Sequence, residues 1–218
     1  MSKPLPHVLL TGFDPFGGEN VNPSWEAVHG LHGQCIDGHL VVARQLPTEF
    51  DASLSVLKEA MHELKPVIVL GVGQAGGRPK LSLERVAINL QDARIPDNAG
   101  AQPIDEPVIA GGPAAYFSTL PIKAMLAALH EAGLPAEISH TAGTYVCNHI
   151  AYAMLHLASQ QPGVRAGFIH IPYLPAQAAR RPGAASMAQS QVEQGLLLAL
   201  RTAIGMTGDR RISGGSLD

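Results

Sequence analysis

The 218-residue chain carries 15 Lys and Arg against 18 Asp and Glu, a formal net charge of −3, with 46% hydrophobic and 15% charged residues. That balance suits a globular chain long enough to bury a core. It offers no basic stripe for nucleic acid and no apolar run near the ~18 residues of a membrane span. The opening MSKPLPHVLLTGF lacks a signal-peptide layout, because Pro4 and Pro6 interrupt a short apolar run, so the expectation is a cytoplasmic protein.

Taken in chain order, His7–Phe13 reads as a strand and Pro23–Leu31 as a short helix capped by Asn22, with Pro in its first turn. Leu40–Leu46 is a second strand. Glu49–Leu64 is a helix with Phe50, Leu54, Leu57 and Met61 on one stripe. Val67–Val72 is a third strand, and Lys80–Leu90 alternates like a fourth. Asp92–Pro113, rich in Gly, Pro and Asp, is a long loop or hairpin region. A helix over Leu120–Ala132 ends at Gly133, Glu137–His140 is a short strand, Cys147–Ser159 a helix and Ala166–Ile171 a strand stopped by Pro172. Pro175–Ala185 is a loop with two arginines, Ser186–Ile204 the last helix, and residues 206–218 a frayed tail on a single domain spanning 1–218. Strands alternating with helices predict an α/β/α sandwich with a mostly parallel, mixed and twisted sheet, and in such folds sites gather at the carboxyl ends of strands.

Gly71-Val-Gly-Gln-Ala-Gly76 matches the dinucleotide fingerprint G-x-G-x-x-G after an apolar strand. The fingerprint needs a helix straight after its glycines, whereas Gly77, Arg78 and Pro79 lead here into a strand-like run. The glycines are better read as a tight loop where backbone approaches a small ligand.

The two cysteines, Cys35 and Cys147, lack C-x-x-C spacing, so they make no zinc site, and in a reducing compartment they need not pair. Cys35 lies in the loop-like HGQCIDG. Cys147 opens an apolar helix after the Ala142-Gly143 turn, where the helix dipole and free N–H groups favour a thiolate and offer an oxyanion site. The alternative is a small buried hydrophobe. A nucleophilic thiol needs a base. His149, two residues on, points to another side of the helix; His140 ends the preceding strand; His170 ends an apolar strand at the sheet rim. Glu84 shares a strand face with Val86, Ile88 and Leu90, which suits a carboxylate that orients an imidazolium or one that pairs with an arginine such as Arg94.

GQAGGRPKLSLERVAIN, ISHTAGTYVCN and FIHIPYLP, together with the opening TGFDPFGGENVNPSW, resemble in this order the pyroglutamyl peptidases, a family of cysteine exopeptidases; the resemblance runs from Val8 to about Ile204. It implies a triad of Cys147 as nucleophile, His170 as base and then acid, and Glu84 as orienting group, with His140 set aside. It implies a cytoplasmic, cofactor-free and metal-free enzyme, a homotetramer or homodimer, that acts on peptides with an N-terminal pyroglutamate. A pocket for that uncharged lactam needs apolar walls, for which Phe13, Phe16 and Tyr145 stand in place, and a few polar contacts: Gln74 for the lactam amide, Asn20 to position the opening loop and Arg94 to support the site. Against this stand a dinucleotide-binding protein, a nucleoside-phosphorylase-like enzyme, which leaves Cys147 unexplained, and a non-enzymatic chain of the same fold.

Overall fold

In the computed structural model, which describes residues 4–215, the chain alternates as its apolar periodicity predicts. Strand β1 (His7–Phe13) leads to helix α1 (Pro23–His29), the two-residue β2 (Cys35–Ile36), β3 (His39–Leu46), α2 (Phe50–Leu64) and β4 (Ile68–Gln74). Then come β5 (Leu81–Glu84), β6 (Val86–Ile88), β7 (Ala115–Phe117), α3 (Ile122–Glu131), β8 (Ala136–Ser139), α4 (Val146–Ser159), β9 (Arg165–Ile171), the single turn α5 (Pro175–Ala178) and α6 (Gln189–Gly205). Seven strands form one sheet in the order β2-β3-β1-β4-β9-β5-β8, while β6 and β7 pair separately. β3, β1, β4 and β9 are mutually parallel; β5 runs antiparallel to β9, β8 follows β5, and β2 is antiparallel to β3.

Each face of the sheet is covered, which explains why the central strands are apolar at nearly every position. On one side Leu10, Leu70 and Ile169 pack under Val28 of α1, Met125 and Leu129 of α3 and Leu196 and Leu200 of α6. On the other, Leu9, Val69 and Phe168 pack under Leu57 and Met61 of α2 and Ile150 and Met154 of α4. The molecule is thus an α/β/α sandwich on a mixed, mainly parallel sheet. Asn22 caps α1 as expected, its side-chain oxygen accepting from the Ser24 N–H. Gly12 lets that helix lie close, since a Cβ there would sit 2.7 Å from the Ser24 carbonyl oxygen.

Four local expectations change. The run Lys80–Leu90 is two strands rather than one: after Glu84 the chain leaves the main sheet, and Val86–Ile88 pairs with Ala115–Phe117, a strand the composition gave no sign of. Cys35 and Ile36 lie in a hairpin with β3 rather than a loop. Its turn is Asp37-Gly38, both at positive φ (44° and 78°), the pairing a tight hairpin turn favours. Gly71 and Gly73 belong to β4 itself, which runs on through Gln74, and not to a loop. Over its described part, the tail is docked rather than frayed. Asp209 accepts from the Lys123 and Ala124 N–H groups at the start of α3, and Arg85 donates to the Gly214 carbonyl.

Candidate active site

Parallel β1, β4 and β9 bring their carboxyl ends to one rim, and the opening of α4 comes against it. Here a cavity of about 180 Å³ is lined by Phe13 and Phe16 after β1, Gln74 of β4, His170 of β9, and Tyr145, Val146 and Cys147 at the start of α4. Asn22, Thr48 and Ala142 complete it. The volume is below the several hundred Å³ of pockets that take drug-sized ligands, so it suits a small ring. A larger cleft of about 470 Å³, by the far ends of α2 and α4, is lined by residues such as Lys58, His62 and Gln160 and contains no thiol or hydroxyl side chain.

The register puts the candidate groups together. Gly73 pairs with His170 across the β4–β9 ladder, and Ser82 with His170 and Glu84 with Phe168 across β5–β9. Glu84 therefore reaches His170 diagonally, from one step deeper in the sheet. His170 Nδ1–H donates to Glu84 Oε1 at 2.7 Å, with His170 4% and Glu84 3% exposed, so the pair is held out of water. That bond sets the tautomer and leaves Nε2 as the base-competent nitrogen. Phe168 fixes the ring from the side, edge-on at 5.0 Å between centroids. Cys147 lines the same cavity, in the first turn of α4, where N–H groups lack intrahelical acceptors. No hydrogen bond joins its sulfur to the imidazole. The glycines of GVGQAGG make room on this face: a Cβ on Gly73 would stand 2.8 Å from Cys147 Sγ, and one on Gly76 would overlap the Tyr173 ring.

The thiol departs from the sequence expectation in one respect. Burial pushes its pKa up to about 12, the Glu84 carboxylate adds to this and Arg78 opposes it, so burial outweighs the helix N-terminus and the group is held as a thiol. A thiol in that state can act as a nucleophile only where a neighbouring imidazole takes its proton.

The apolar walls are mutually supported. Tyr145 packs edge-on against Phe50 at 5.6 Å and lies 6.5 Å from Phe16, and its hydroxyl donates to the Pro96 carbonyl at 3.0 Å. Burial, ahead of repulsion from Asp97 and Cys147, raises that hydroxyl to about 12. Gln74 Oε1 accepts from Gln177 Nε2 of α5 at 3.1 Å. Asn20 and Arg94 stand exposed and do not line the cavity, and neither does Cys35; His140 is exposed beyond β8. The asparagine on the cavity is Asn22. It also donates to the Asp14 carbonyl, so the helix cap and the pocket wall are one side chain, a signal its N-cap position already contained.

Sequence reasoning missed three supports. Arg78 Nη1 donates to Glu84 Oε1 at 2.7 Å, so the arginine beside this carboxylate is Arg78, whereas Arg94 is the example in the ion-pair alternative. Asn148, next to Cys147, accepts from the Ile88 N–H and donates to the Ile88 and Leu90 carbonyls, so α4 holds β6. His149 turns away from the cavity, as its spacing implied, and its Nδ1 donates to Gln91 Oε1 at 2.7 Å, fastening the segment after β6. Among the described residues, no group of three or more His, Cys, Asp or Glu could hold a metal ion, and no helix is long and apolar enough to cross a membrane.

Comparison with known proteins agrees with this geometry. A family model described as pyroglutamyl peptidase matches residues 6–206. The pyrrolidone-carboxylate peptidase of Klebsiella pneumoniae is 57% identical over 209 residues, covering 96% of this chain and 98% of that one; the Escherichia fergusonii protein of that name is 58% identical with the same coverage. Among solved structures, pyroglutamyl peptidase I of Bacillus amyloliquefaciens superposes with a TM-score of 0.91 at 50% identity, covering 94% of this chain and all of that one. A variant pyrrolidone carboxyl peptidase from Pyrococcus furiosus reaches 0.89 at 43%, covering 91% and 98%. A match over nearly the whole chain in both sequence and backbone leaves no room for the dinucleotide reading of its glycines, and the chain belongs to the pyroglutamyl peptidase family.

Proposed function

We propose that the protein is a cysteine exopeptidase that hydrolyses the peptide bond following an N-terminal pyroglutamyl residue, with Cys147, His170 and Glu84 as its triad. The observation that carries the reading is the buried Nδ1–Oε1 bond of 2.7 Å between His170 and Glu84, on the wall of the small cavity that Cys147 also lines. His170 takes the thiol proton as the Cys147 sulfur attacks the pyroglutamyl carbonyl. The first-turn amides of α4 receive the developing oxyanion, and the imidazolium then protonates the leaving amine. Water activated by His170 hydrolyses the thioester, and neutral thiol and imidazole return. Phe13, Phe16 and Tyr145 form apolar walls for the lactam, Gln74 meets its amide, Asn20 positions the opening loop and Arg94 supports the site from outside.

The substrates are peptides with an N-terminal pyroglutamate. The enzyme works in the cytoplasm as a single peptidase domain of 1–218, and assembles as a homotetramer or homodimer. Release of a fluorophore from pyroglutamyl-aminocoumarin tests the core of this. Cys147→Ala and His170→Ala abolish turnover while Cys35→Ser retains it, and an active Cys147→Ala enzyme sinks the nucleophile assignment. Truncating Phe13 or Phe16 raises KM in a folded protein; an unchanged KM removes them from the pocket.

A further inference from the structure

The oxygen that orients His170 is shared. Glu84 Oε1 accepts from His170 Nδ1 and from Arg78 Nη1, both at 2.7 Å, while Oε2 is buried with no hydrogen-bond partner among the described residues. Arg78 is not held there by Glu84 alone. Its Nη1 also donates to Ser139 Oγ at 3.2 Å and its Nη2 to the Thr141 carbonyl at 2.9 Å, so β8 and the segment leading to α4 fix the guanidinium. A permanent positive charge is thereby seated two hydrogen bonds from the imidazole, on the atom that would otherwise give its whole attraction to an imidazolium. The titratable or charged groups around the ring are Glu84 from β5, Arg78 from the preceding segment and Cys147 from α4, with Tyr145 beyond the thiol; β4 presents Gly73. Arg78 is thus the one fixed cation in the set, and its influence extends to Cys147, where it opposes burial and Glu84.

We propose that Arg78 is a positioning residue that tunes the proton affinity of the Cys147–His170 pair by drawing on the same Glu84 oxygen. An imidazolium that Glu84 stabilises only in part surrenders its proton to the leaving amine more readily, and a thiol near a cation loses its proton more readily. Arg78 touches neither substrate nor reacting atoms; it acts through Glu84.

The inference rests on the triad reading above, and the pH profile separates the two. In a kcat/KM profile of the pyroglutamyl-aminocoumarin reaction, the acid limb reports loss of a proton from the coupled pair, whichever microscopic assignment holds. Removing the cation therefore moves that limb to higher pH in Arg78→Met, by about one unit, with about a tenfold loss on the acid side. Arg78→Lys, which keeps the charge, holds it near its wild-type position, and added guanidinium moves that of Arg78→Met back. A merely structural arginine would lower the melting temperature and the height of the profile without moving its acid limb; that outcome overturns the proposal. Should Arg78→Met fail to fold, Arg78→Gln makes the same comparison with an uncharged donor. If His170→Ala remains active, the triad itself fails. If His170→Ala is inactive while the acid limb of the Arg78 variants stays in place, only the role of Arg78 falls.

Discussion

Gly73→Ala puts one methyl group at the most crowded point of the site. Its Cβ would lie 2.8 Å from Cys147 Sγ and 2.9 and 3.0 Å from two Phe168 ring carbons. Ordinary heavy-atom contacts begin near 3.5–4.0 Å, so about 1 Å of relief must be found. Phe168 cannot supply it cheaply, being 3% exposed and set edge-on against His170. The sulfur, on a single rotatable bond at the cavity wall, is the group that yields. Overpacking of this kind costs about 1–3 kcal/mol of stability, and displacement of a reacting atom by about 1 Å costs on the order of 100-fold in rate. Steady-state hydrolysis of pyroglutamyl-aminocoumarin should therefore show a kcat reduced by about two orders of magnitude with KM little changed, because Phe13, Phe16 and Tyr145 are untouched. A thermal melt should show a modest loss, whereas Gly205→Ala, where nothing lies within 4 Å, leaves kcat as in the wild type and does not lower the melting temperature. Unchanged kcat in Gly73→Ala would show that the nucleophile is not seated against β4, and the account of the glycine motif would fall with it.

Other consequences follow from single side chains. Burial, with Lys58 adding to it and Asp51 and the Phe50 backbone opposing, lowers His149 from 6.5 to about 4. Its stabilising contribution is therefore complete above pH 6.5 and is lost as pH falls through 4, by roughly 3 kcal/mol; urea midpoints across that window should decline in the wild type and flatten in His149→Gln, and parallel curves would refute it. Glu19 accepts from both Arg180 and Arg181, and Arg181 lies 5.1 Å over the Tyr173 ring, tying the opening loop to the segment around α5. Glu19→Gln should raise KM a few-fold at low salt, and the difference should shrink at high salt, since partly exposed pairs contribute about 0.2–1 kcal/mol each. Asp209→Ala, which removes the acceptor, should lower stability by about 1 kcal/mol with kcat/KM intact, as loss of a helix cap does; an unchanged melting temperature would mean that the tail does not dock on α3.

How much of this was legible depended on whether the information was local. The strand and helix that flank Cys147, the cap at Asn22 and the stripe through Phe50, Leu57 and Met61 each follow from neighbours in sequence, and each appears where periodicity and capping chemistry place it. The break after Glu84 left one local sign, a change of apolar phase from Leu81 and Leu83 to Val86 and Ile88. What fixes it is tertiary: Arg85 pairs its backbone with Ser139 and Ser118, and Asn148 of α4 captures Ile88. Arg78 was missed for the same reason, since a loop arginine six residues before Glu84 carries no periodic sign that it will fold back onto it.

The glycine motif shows why spacing alone misleads. G-x-G-x-x-G in a nucleotide site frees backbone N–H groups for phosphate and lets a helix start close to a strand. Here Gly71 and Gly73 alternate onto one face of β4, and the space of their missing side chains is taken by Phe168, Met154 and Cys147 Sγ. Gly76 makes the same concession to Tyr173, whose ring Arg181 overlies while paired with Glu19. Both uses demand an absent Cβ, so both write similar letters. What distinguishes them is the approaching group: phosphate in one case, the Cys147 sulfur and the Phe168 ring that packs on His170 in the other. The expectation of backbone meeting a ligand was therefore right about the need for space and wrong about its occupant, because the occupants come from β9 and α4, more than seventy residues away in sequence.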